Sequence, residues 1–315
     1  MSVYGILPNP ESFPGVSRVF RDMEHLGMKV LYVSEQNIYK AITESDLVIF
    51  GAYHELYAYP IRRLKATKFV LWTSPLLQME LSNEIDIFDH VLNLKDRGII
   101  NQIWFGDLGM WKAYESKGFF MPYPLDTKRV TNYKKQLERK PGVTLFCPWS
   151  LRKNILTQLA AMKIAQKDAP ELLLYGNNMG AYAKVAERMG VSYVDCGWMK
   201  PETYFTKIQE VHAGLQVFLS ESFAYTALDH ILLDTPVLGS PSIDWLPQQL
   251  KVANIDDPVE IADRIIKLAR DYSSIDAYRE AALDMAAARN ARVSEAMKCR
   301  GEEGKASQKF SKVSE

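Results

Sequence analysis

The sequence has little that would draw it to a membrane or to a polyanion. Its 315 residues include 38 basic and 38 acidic side chains, so no net charge attracts nucleic acid or a lipid surface. No apolar run approaches the roughly 18 residues of a membrane helix, and "MSVYGILPNP" lacks the pattern of a secretory signal. These absences predict a cytoplasmic protein without integral membrane contact.

Cysteine is also scarce. Cys147, Cys196 and Cys299 are an odd number, and they do not have the spacing of metal ligands. At least two of them lie in strand-like contexts, which is typical of buried, reduced thiols. The sequence therefore predicts neither a disulfide framework nor a cysteine-bound metal.

What is present is a regular alternation of strand-like and helix-like segments. "VYGILP" (3–8), "KVLYVS" (29–34), "SDLVIFGAY" (45–53) and "KFVLWTSP" (68–75) alternate with helical patterns, and "HVLNL" (90–94) and "GFFMPYP" (118–124) are predicted to add short strands. Such alternation is typical of a parallel sheet with helices on both faces. It resumes at "VTLFC" (143–147) and continues to about residue 275.

Between these two series the apolar pattern lapses and basic residues accumulate, which places a linker at 126–141. The prediction is an α/β protein of two doubly wound, Rossmann-like domains, 1–125 and 142–275. An Ala-rich amphipathic helix, 276–298, follows, and the composition of 299–315 predicts a disordered tail.

Two acids eight positions apart mark the segment "SESFAYTALDHILLDTPVLGSP". Glu221 follows a predicted strand at the mouth of a helix expected to begin near Phe223, and Asp229 falls off that helix's apolar stripe. A rise of about 1.5 Å per residue separates the acids by roughly 12 Å, too far to share a metal but suited to an elongated ligand with phosphate at the helix amides. The alternative is that Glu221 caps the helix and Asp229 is a solvated surface residue.

The same segment resembles the donor-sugar motif of retaining GT-B glycosyltransferases, an acid, seven residues and a second acid before Gly-x-Pro-Val. Glu221 matches the first acid and Asp229 the second, one methylene shorter. Phe223 and Ala224 stand where that family has Phe-Gly, and Asp234 replaces the Gly of Gly-x-Pro-Val. The resemblance implies two domains facing across a cleft, with acceptor binding in 1–125, nucleotide-sugar binding in 142–275, and the helix 276–298 packing back toward the first domain.

The resemblance also implies roles for individual residues. Catalysis falls to Glu221, to Lys153, which aligns with the family's diphosphate-binding lysine, and to Arg152, which substitutes for an arginine expected near Pro148. Donor contacts are implied for a set of helix-mouth and loop residues: Asp229, Phe223, Ala224, Tyr225, Thr226, Gly15, Gly176, Asn177, Gly197 and Trp198. Ordinary turns remain the alternative for the glycines, and a solvent-facing loop remains the alternative for Lys153 and Arg152.

Where many family members carry a histidine after the fourth strand, this sequence has Thr73 and Ser74, and His54 ends an earlier strand. These three are the acceptor candidates. The implied reaction is metal-independent transfer of a sugar from a nucleotide diphosphosugar, such as a UDP- or GDP-sugar, with retention and without a cofactor. The implied acceptor is a small molecule or glycan, with a modified DNA base as the alternative. For the function as a whole, the alternatives are a GT-B sugar epimerase and a non-catalytic nucleotide-sugar binder. The oligomeric state is not indicated.

Overall fold

The structure, a computed structural model, describes residues 2–9, 14–33, 40–271 and 274–299. The chain divides into two compact units: unit 1 comprises Met1–Asp126 with Ala286–Glu315, and unit 2 is Thr127–Met285. Of the predicted disordered tail, 300–315 lie outside the described residues.

Unit 1 is built on a six-stranded sheet with strand order β2-β1-β3-β4-β5-β6, in which every neighbouring pair is parallel. Because helices lie on both faces, the central strands are buried throughout, which explains their continuous apolar runs. The strands are β1 Val3–Leu7, β2 Lys29–Tyr32, β3 Leu47–Gly51, β4 Thr67–Trp72, β5 Gln102–Phe105 and β6 Gly118–Phe120. The helices are α1 Pro14–Glu24, α2 Pro60–Arg63, α3 Leu76–Leu81, α4 Ile85–Asp96 and α5 Leu108–Ala113.

Two glycines let α1 lie close to this sheet. A Cβ on Gly5 of β1 would come within 2.2 Å of the Phe20 ring, and one on Gly51 of β3 within 2.8 Å of the same ring. Phe20 is fully buried, so the ring has nowhere to move. The absence of side chains at these two positions therefore sets the distance between helix and sheet.

One predicted strand of unit 1 is wrong. Residues 90–94 belong to α4, whose buried side chains Phe88, Val91 and Leu94 recur at three-residue steps. Five residues with three apolar ones fit either a strand or a helix turn, and the longer helical stripe decides between them. The sheet instead uses β5, which the sequence reading did not identify.

Unit 2 carries a separate five-stranded parallel sheet with strand order β11-β10-β7-β8-β9. Its strands are β7 Lys140–Leu145, β8 Leu173–Gly176, β9 Tyr193–Asp195, β10 Val211–Gln216 and β11 Val237–Gly239. Its helices are α6 Thr127–Thr131, α7 Ile155–Asp168, α8 Gly180–Met189, α9 Pro201–Gln209, α10 Tyr225–Leu232 and α11 Pro258–Arg270. Alternate residues of the strands, among them Val143 and Leu215, enter a core shared with α7 and α11.

The segment predicted as a linker, 126–141, has structure of its own. It contains α6, and its last residues already belong to β7. Lys134 forms an ion pair with Asp234, and the Nη2 of Arg139 donates to the Asp234 carbonyl at 2.5 Å. Two of the basic side chains that suggested a solvated linker thus bind Asp234 within unit 2.

The long helix α12, Ile275–Cys299, is shared between the units, passing from unit 2 to unit 1 at Ala286. Within unit 1, the Asn290 side chain exchanges two hydrogen bonds with the backbone of Leu125, each 2.8 Å long. Arg292 lies over the Phe120 ring, 5.7 Å from its centroid. The acceptor and nucleotide-sugar roles given to the two halves stay predictions.

Candidate functional site

The sheet of unit 2 reverses its strand order between β7 and β10. In open parallel sheets, ligands bind at such a switch point, outside the carboxyl ends of the strands. Arg152 and Lys153 follow β7, and Glu221 follows β10, so the topology brings together residues that are 68 positions apart in sequence. The three residues predicted to be catalytic lie at this one point of the sheet.

The Glu221 carboxylate is shared by both cations. Its Oε2 accepts from the Lys153 ammonium and lies 3.4 Å from the Arg152 Nη1. All three side chains are largely withdrawn from solvent, with exposed fractions of 10% for Glu221, 8% for Lys153 and 19% for Arg152. The Lys153 Nζ also sits 3.9 Å from the centroid of the Phe218 ring, within cation–π range.

Burial alone would raise the pKa of the Glu221 carboxyl. The nearby charges of Lys153 and Arg152, with hydrogen bonds from Lys153 and from the Ser222 amide, outweigh burial and hold this pKa below its ordinary value. Glu221 is therefore an anion near neutral pH. With two cations facing one carboxylate, the cluster carries one net positive charge.

A glutamine that the sequence reading did not identify fixes the backbone around this cluster. Gln158 is fully buried; its Nε2 donates to the Lys153 carbonyl at 2.7 Å, and its Oε1 accepts from the Val217 amide at 2.9 Å. The Leu219 amide donates to the Arg152 carbonyl at 2.9 Å. The loops after β7 and β10 are thus joined by three hydrogen bonds. No pattern in the sequence marks Gln158, because it lies within an ordinary helix.

Beside the cluster, α10 begins at Tyr225, two residues later than predicted, after Ala224 in a left-handed conformation with φ of 62°. No side chain caps this helix, and the Glu221 Oε1 accepts from the Ser222 amide instead. The capping alternative for Glu221 is therefore wrong. Because Glu221 precedes the helix, the spacing calculated from a helical rise does not apply between it and Tyr225.

Asp229 is not the solvated surface residue of the alternative interpretation, nor does it lie off the buried face. It is 1% exposed, because α10 is enclosed by the sheet, α6 and α9 and buries every residue from Ala227 to Leu232. Its Oδ2 accepts from the Tyr204 hydroxyl at 3.1 Å. The neighbouring His230 is also buried, with its Nε2 2.6 Å from the Thr144 Oγ1 and its Nδ1 2.7 Å from the Thr226 carbonyl.

Burial lowers the pKa of His230 to about 4, against smaller opposing effects of the Thr226 carbonyl and Asp229. The imidazole is therefore neutral near pH 7. Since a carbonyl only accepts, the Nδ1 carries the proton and the Nε2 accepts from Thr144. Neither Tyr204 nor His230 was singled out from the sequence.

The other predicted donor contacts at the helix mouth are packed side chains. Phe223 is 2% exposed and stacks on Trp245, with ring centroids 5.6 Å apart, and its carbonyl accepts from the Trp245 Nε1 at 2.5 Å. The Tyr225 ring packs edge-on against Phe223. Thr226 offers its carbonyl to His230. These residues hold the first turn of α10 in place.

The loops after β8 and β9 carry the remaining predicted donor contacts of unit 2. Gly176 leaves room for Met179, whose Cγ would lie 2.4 Å from an added Cβ. Gly197 has φ of 62°, which favours glycine, and its carbonyl accepts from the Asn178 amide at 3.1 Å. Trp198 is 78% exposed, and among the described atoms the Asn177 Oδ1 is buried without a hydrogen-bond partner.

In unit 1, the acceptor candidates lie at the carboxyl ends of the neighbouring strands β3 and β4. The His54 Nδ1 accepts from the Leu56 amide at 3.1 Å and caps a short 3₁₀ turn. The Thr73 carbonyl accepts from the Tyr123 hydroxyl at 3.4 Å, and the buried Ser74 Oγ accepts from the Gln78 Nε2 at 2.9 Å. Gly15 lies in the first turn of α1, where an added Cβ would meet nothing within 4 Å.

Among the described residues, no three His, Cys, Asp or Glu side chains are grouped so that they could hold a metal ion. No described helix has both the length and the apolar character needed to cross a membrane.

Comparison with solved structures establishes the fold. A TarM variant of S. aureus, in complex with fondaparinux, α-GlcNAc-glycerol and UDP, matches 84% of this chain with a TM-score of 0.64 at 13% identity. An E. coli structure described as trehalose-6-phosphate, bound with UDP-2-fluoro glucose, matches 96% with a TM-score of 0.70 at 9% identity. The chain has a GT-B fold.

The predicted α/β class with two doubly wound units is thereby confirmed. The α,α-trehalose-phosphate synthase (UDP-forming) of Burkholderia xenovorans, in complex with glucose-6-phosphate, is similar over 85% of this chain, with a TM-score of 0.64 and 11% identity. This chain spans 99% of the E. coli protein, 76% of the Burkholderia protein and 57% of TarM. No protein-family model matches the sequence, and no curated protein matches it.

Proposed function

We propose that this protein is a glycosyltransferase that moves a sugar from a nucleotide diphosphosugar to an acceptor hydroxyl, with retention at the anomeric carbon. The observation that carries the proposal is the position of Lys153, Arg152 and Glu221 at the switch point of the sheet in unit 2. Solved structures of the same fold, described as holding UDP or a UDP-sugar analogue, support the class of donor.

In this proposal, the net positive charge of the cluster and the amino end of α10 receive the diphosphate. Lys153 stabilises the charge that develops on the leaving group as the glycosidic bond breaks. Glu221 holds the donor-sugar hydroxyls, and its negative charge lies beside a centre that becomes positive. The departing diphosphate takes the acceptor's proton on the same face. No step uses a metal ion.

Unit 1 binds the acceptor in this proposal, with His54, Thr73 and Ser74 as candidate contacts. The first-choice acceptor is a small molecule or a glycan. The solved neighbours are described with α-GlcNAc-glycerol or glucose-6-phosphate, which supports an acceptor of this size. A modified DNA base is the alternative acceptor, and a cytoplasmic location fits either.

The decisive experiment is incubation with a panel of UDP- and GDP-sugars, with and without candidate acceptors. A thermal shift reports donor binding, and release of nucleoside diphosphate reports turnover. Acceptor-dependent release with an α-linked product from an α-linked donor supports the proposal. Release of an epimer from donor alone would indicate an epimerase, and binding without release would indicate a non-catalytic binder.

The two acids provide a second test. Glu221→Gln is expected to lower turnover while leaving affinity for the sugar-free nucleoside diphosphate nearly intact. Asp229→Asn is expected to weaken that affinity, because ribose contacts are alike in ground and transition states. Equal weakening of the bare nucleotide by both variants would refute the assignment of the acids to opposite ends of the donor.

A further inference from the structure

Asp229 is poorly placed to touch a ligand by itself. Only 1% of it is exposed, and an aspartate is one methylene shorter than the glutamate at this place in the motif it resembles. Tyr204 of α9 is partly exposed, and its hydroxyl donates to the Asp229 Oδ2 at 3.1 Å. The buried carboxylate is thus hydrogen-bonded to a residue that is itself partly exposed.

Tyr204 is also at the correct edge of the sheet. Its ring packs against Phe146, with centroids 5.6 Å apart, and Phe146 is the residue that follows β7. The same strand leads into the loop of Arg152 and Lys153. Phe205 packs edge-on against the Tyr204 ring, with centroids 5.2 Å apart, so the ring contacts two aromatic neighbours. The hydroxyl is therefore fixed in position near the switch point.

The hydrogen bond has a direction with chemical consequences. A phenol has one proton, and here it is donated to a carboxylate, so toward a ligand hydroxyl the oxygen can act only as an acceptor. A bond to an anion increases the electron density on that oxygen and strengthens the next bond in the chain. The pair is thus suited to accept a hydrogen bond from a ligand hydroxyl, and the negative charge of Asp229 strengthens that bond through Tyr204.

We propose that Tyr204 is the residue that contacts the ribose hydroxyls of the donor nucleotide, and that Asp229 is a positioning residue that acts through it. This inference rests on the proposed function, because it assumes a nucleoside diphosphate at the switch point. It replaces a direct carboxylate contact by a carboxylate–phenol–ribose chain. The short aspartate is then compensated by the phenol.

The test removes the two ends of the proposed contact separately. Binding of UDP and of 2′,3′-dideoxy-UDP is measured by calorimetry for the wild type and for Tyr204→Phe, with GDP and its dideoxy form as a second pair. The wild type is expected to prefer the ribonucleotide by about tenfold. Tyr204→Phe is expected to weaken the ribonucleotide to the level of the dideoxy form while leaving the dideoxy form unchanged.

A matched control exists in the same unit. The Tyr193 hydroxyl donates to the Glu187 Oε1 at 2.8 Å, at the amino end of β9. Tyr193→Phe removes a similar phenol–carboxylate bond that does not involve Asp229, and is expected to leave both affinities unchanged. Asp229→Asn is expected to reduce the ribose preference without abolishing it, since the Tyr204 hydroxyl remains.

Several results would overturn the inference. Retention of the full ribose preference in Tyr204→Phe would do so, as would equal weakening of both nucleotides, which is the effect of a merely structural residue. Complete loss of the ribose preference in Asp229→Asn would indicate that the carboxylate contacts the ribose directly. This measurement can be made even if Tyr204→Phe does not fold. A wild type that binds both forms equally would refute this inference but leave the proposed function standing. A wild type that binds none of the four nucleotides would refute both.

Discussion

Two residues of this chain have positive φ where the resembled glycosyltransferase motif has glycine. Ala224 has φ of 62° and Asp234 has φ of 60°. A left-handed conformation costs a residue with a Cβ roughly 1–2 kcal/mol, and aspartate tolerates it better than alanine. The motif's glycines are therefore explained by backbone geometry that this chain retains without them.

Ala224→Gly is expected to leave the free energy of unfolding nearly unchanged. Relief of the left-handed strain, about 1–2 kcal/mol, is offset by the lost buried methyl group, about 0.8 kcal/mol, and by a more flexible unfolded chain, about 0.5–1 kcal/mol. Asp234→Gly is expected to lower it, because it also removes the ion pairs with Lys134 and Arg279. Urea unfolding midpoints measure both, and an equally large loss of stability in the two variants would contradict this account.

Lys153→Ala is expected to weaken binding of nucleoside diphosphate by about ten- to a hundredfold, because it removes a charge-assisted contact. It is also expected to lower the free energy of unfolding by about 3 kcal/mol, since Glu221 keeps only the more distant Arg152. Calorimetric titration and urea unfolding measure the two effects.

The double variant Lys153→Ala with Glu221→Gln separates them. It leaves no buried uncompensated carboxylate, so its stability is expected to recover while its affinity stays low. Recovery of nucleotide affinity together with stability would mean that Lys153 acts only on the fold.

At the scale of elements, α10 is held by a buried imidazole that must stay neutral. The folded-state pKa of His230, about 4, lies below its ordinary value of 6.5, so the unfolded chain binds the proton first as the pH falls. The contribution of neutral His230 to the free energy of unfolding is therefore fully present above pH 6.5. It is lost as the pH falls toward 4, by about 3 kcal/mol in all. The pKa of Glu221 is lowered, so the stability that it contributes is lost only as the pH falls below about 4.5.

Urea midpoints of the wild type and of His230→Gln, measured between pH 4.5 and 7, test this expectation. The decline is expected to be shallower in the variant. It does not vanish, because the pKa of His212 is lowered by burial and by the charge of Arg139, against an opposing effect of Glu171. An equally steep decline in the variant would rule out His230 as its source.

A glycine sets the contact between α10 and the sheet. A Cβ on Gly214 of β10 would lie 2.6 Å from the His230 ring, which has no room to move. Gly214→Ala is therefore expected to destabilise the protein by about 1–3 kcal/mol, as overpacking does. Thermal unfolding measures the loss; Gly15→Ala, where an added Cβ meets nothing, is the control and is expected to show none.

The elements were largely predictable from the sequence, because strands buried on both faces leave apolar runs and helices leave three- and four-residue spacing. The helix α4 was read in part as a strand because five residues contain too little of that spacing. Of the site, only the residues that belong to a motif within one segment of sequence were predictable. The burial of Asp229 and the contacts of Tyr204 and Gln158 arise from packing between segments, which no local pattern records.

At the scale of the whole molecule, unit 1 depends on a helix from the far end of the described chain. Asn290 satisfies both backbone groups of Leu125. Asn290→Ala leaves them without these bonds and is expected to destabilise unit 1 by about 1–3 kcal/mol. Hydrogen exchange is expected to quicken in β6 and β5 while β7 and β10 keep their protection; equal loss of protection in both sheets would contradict the division into units.

The shared helix α12 also sets an order of events during synthesis. The ribosome makes the six strands of unit 1 first, then all of Thr127–Met285, and only afterwards the turns from Ala286 that complete unit 1. At about 5–20 residues per second, this delay is on the order of ten seconds. Unit 2, although second in the sequence, is complete first, and the nascent first half must wait with an unfinished surface. Chaperone demand during translation is therefore expected to fall on the amino-terminal half of this chain.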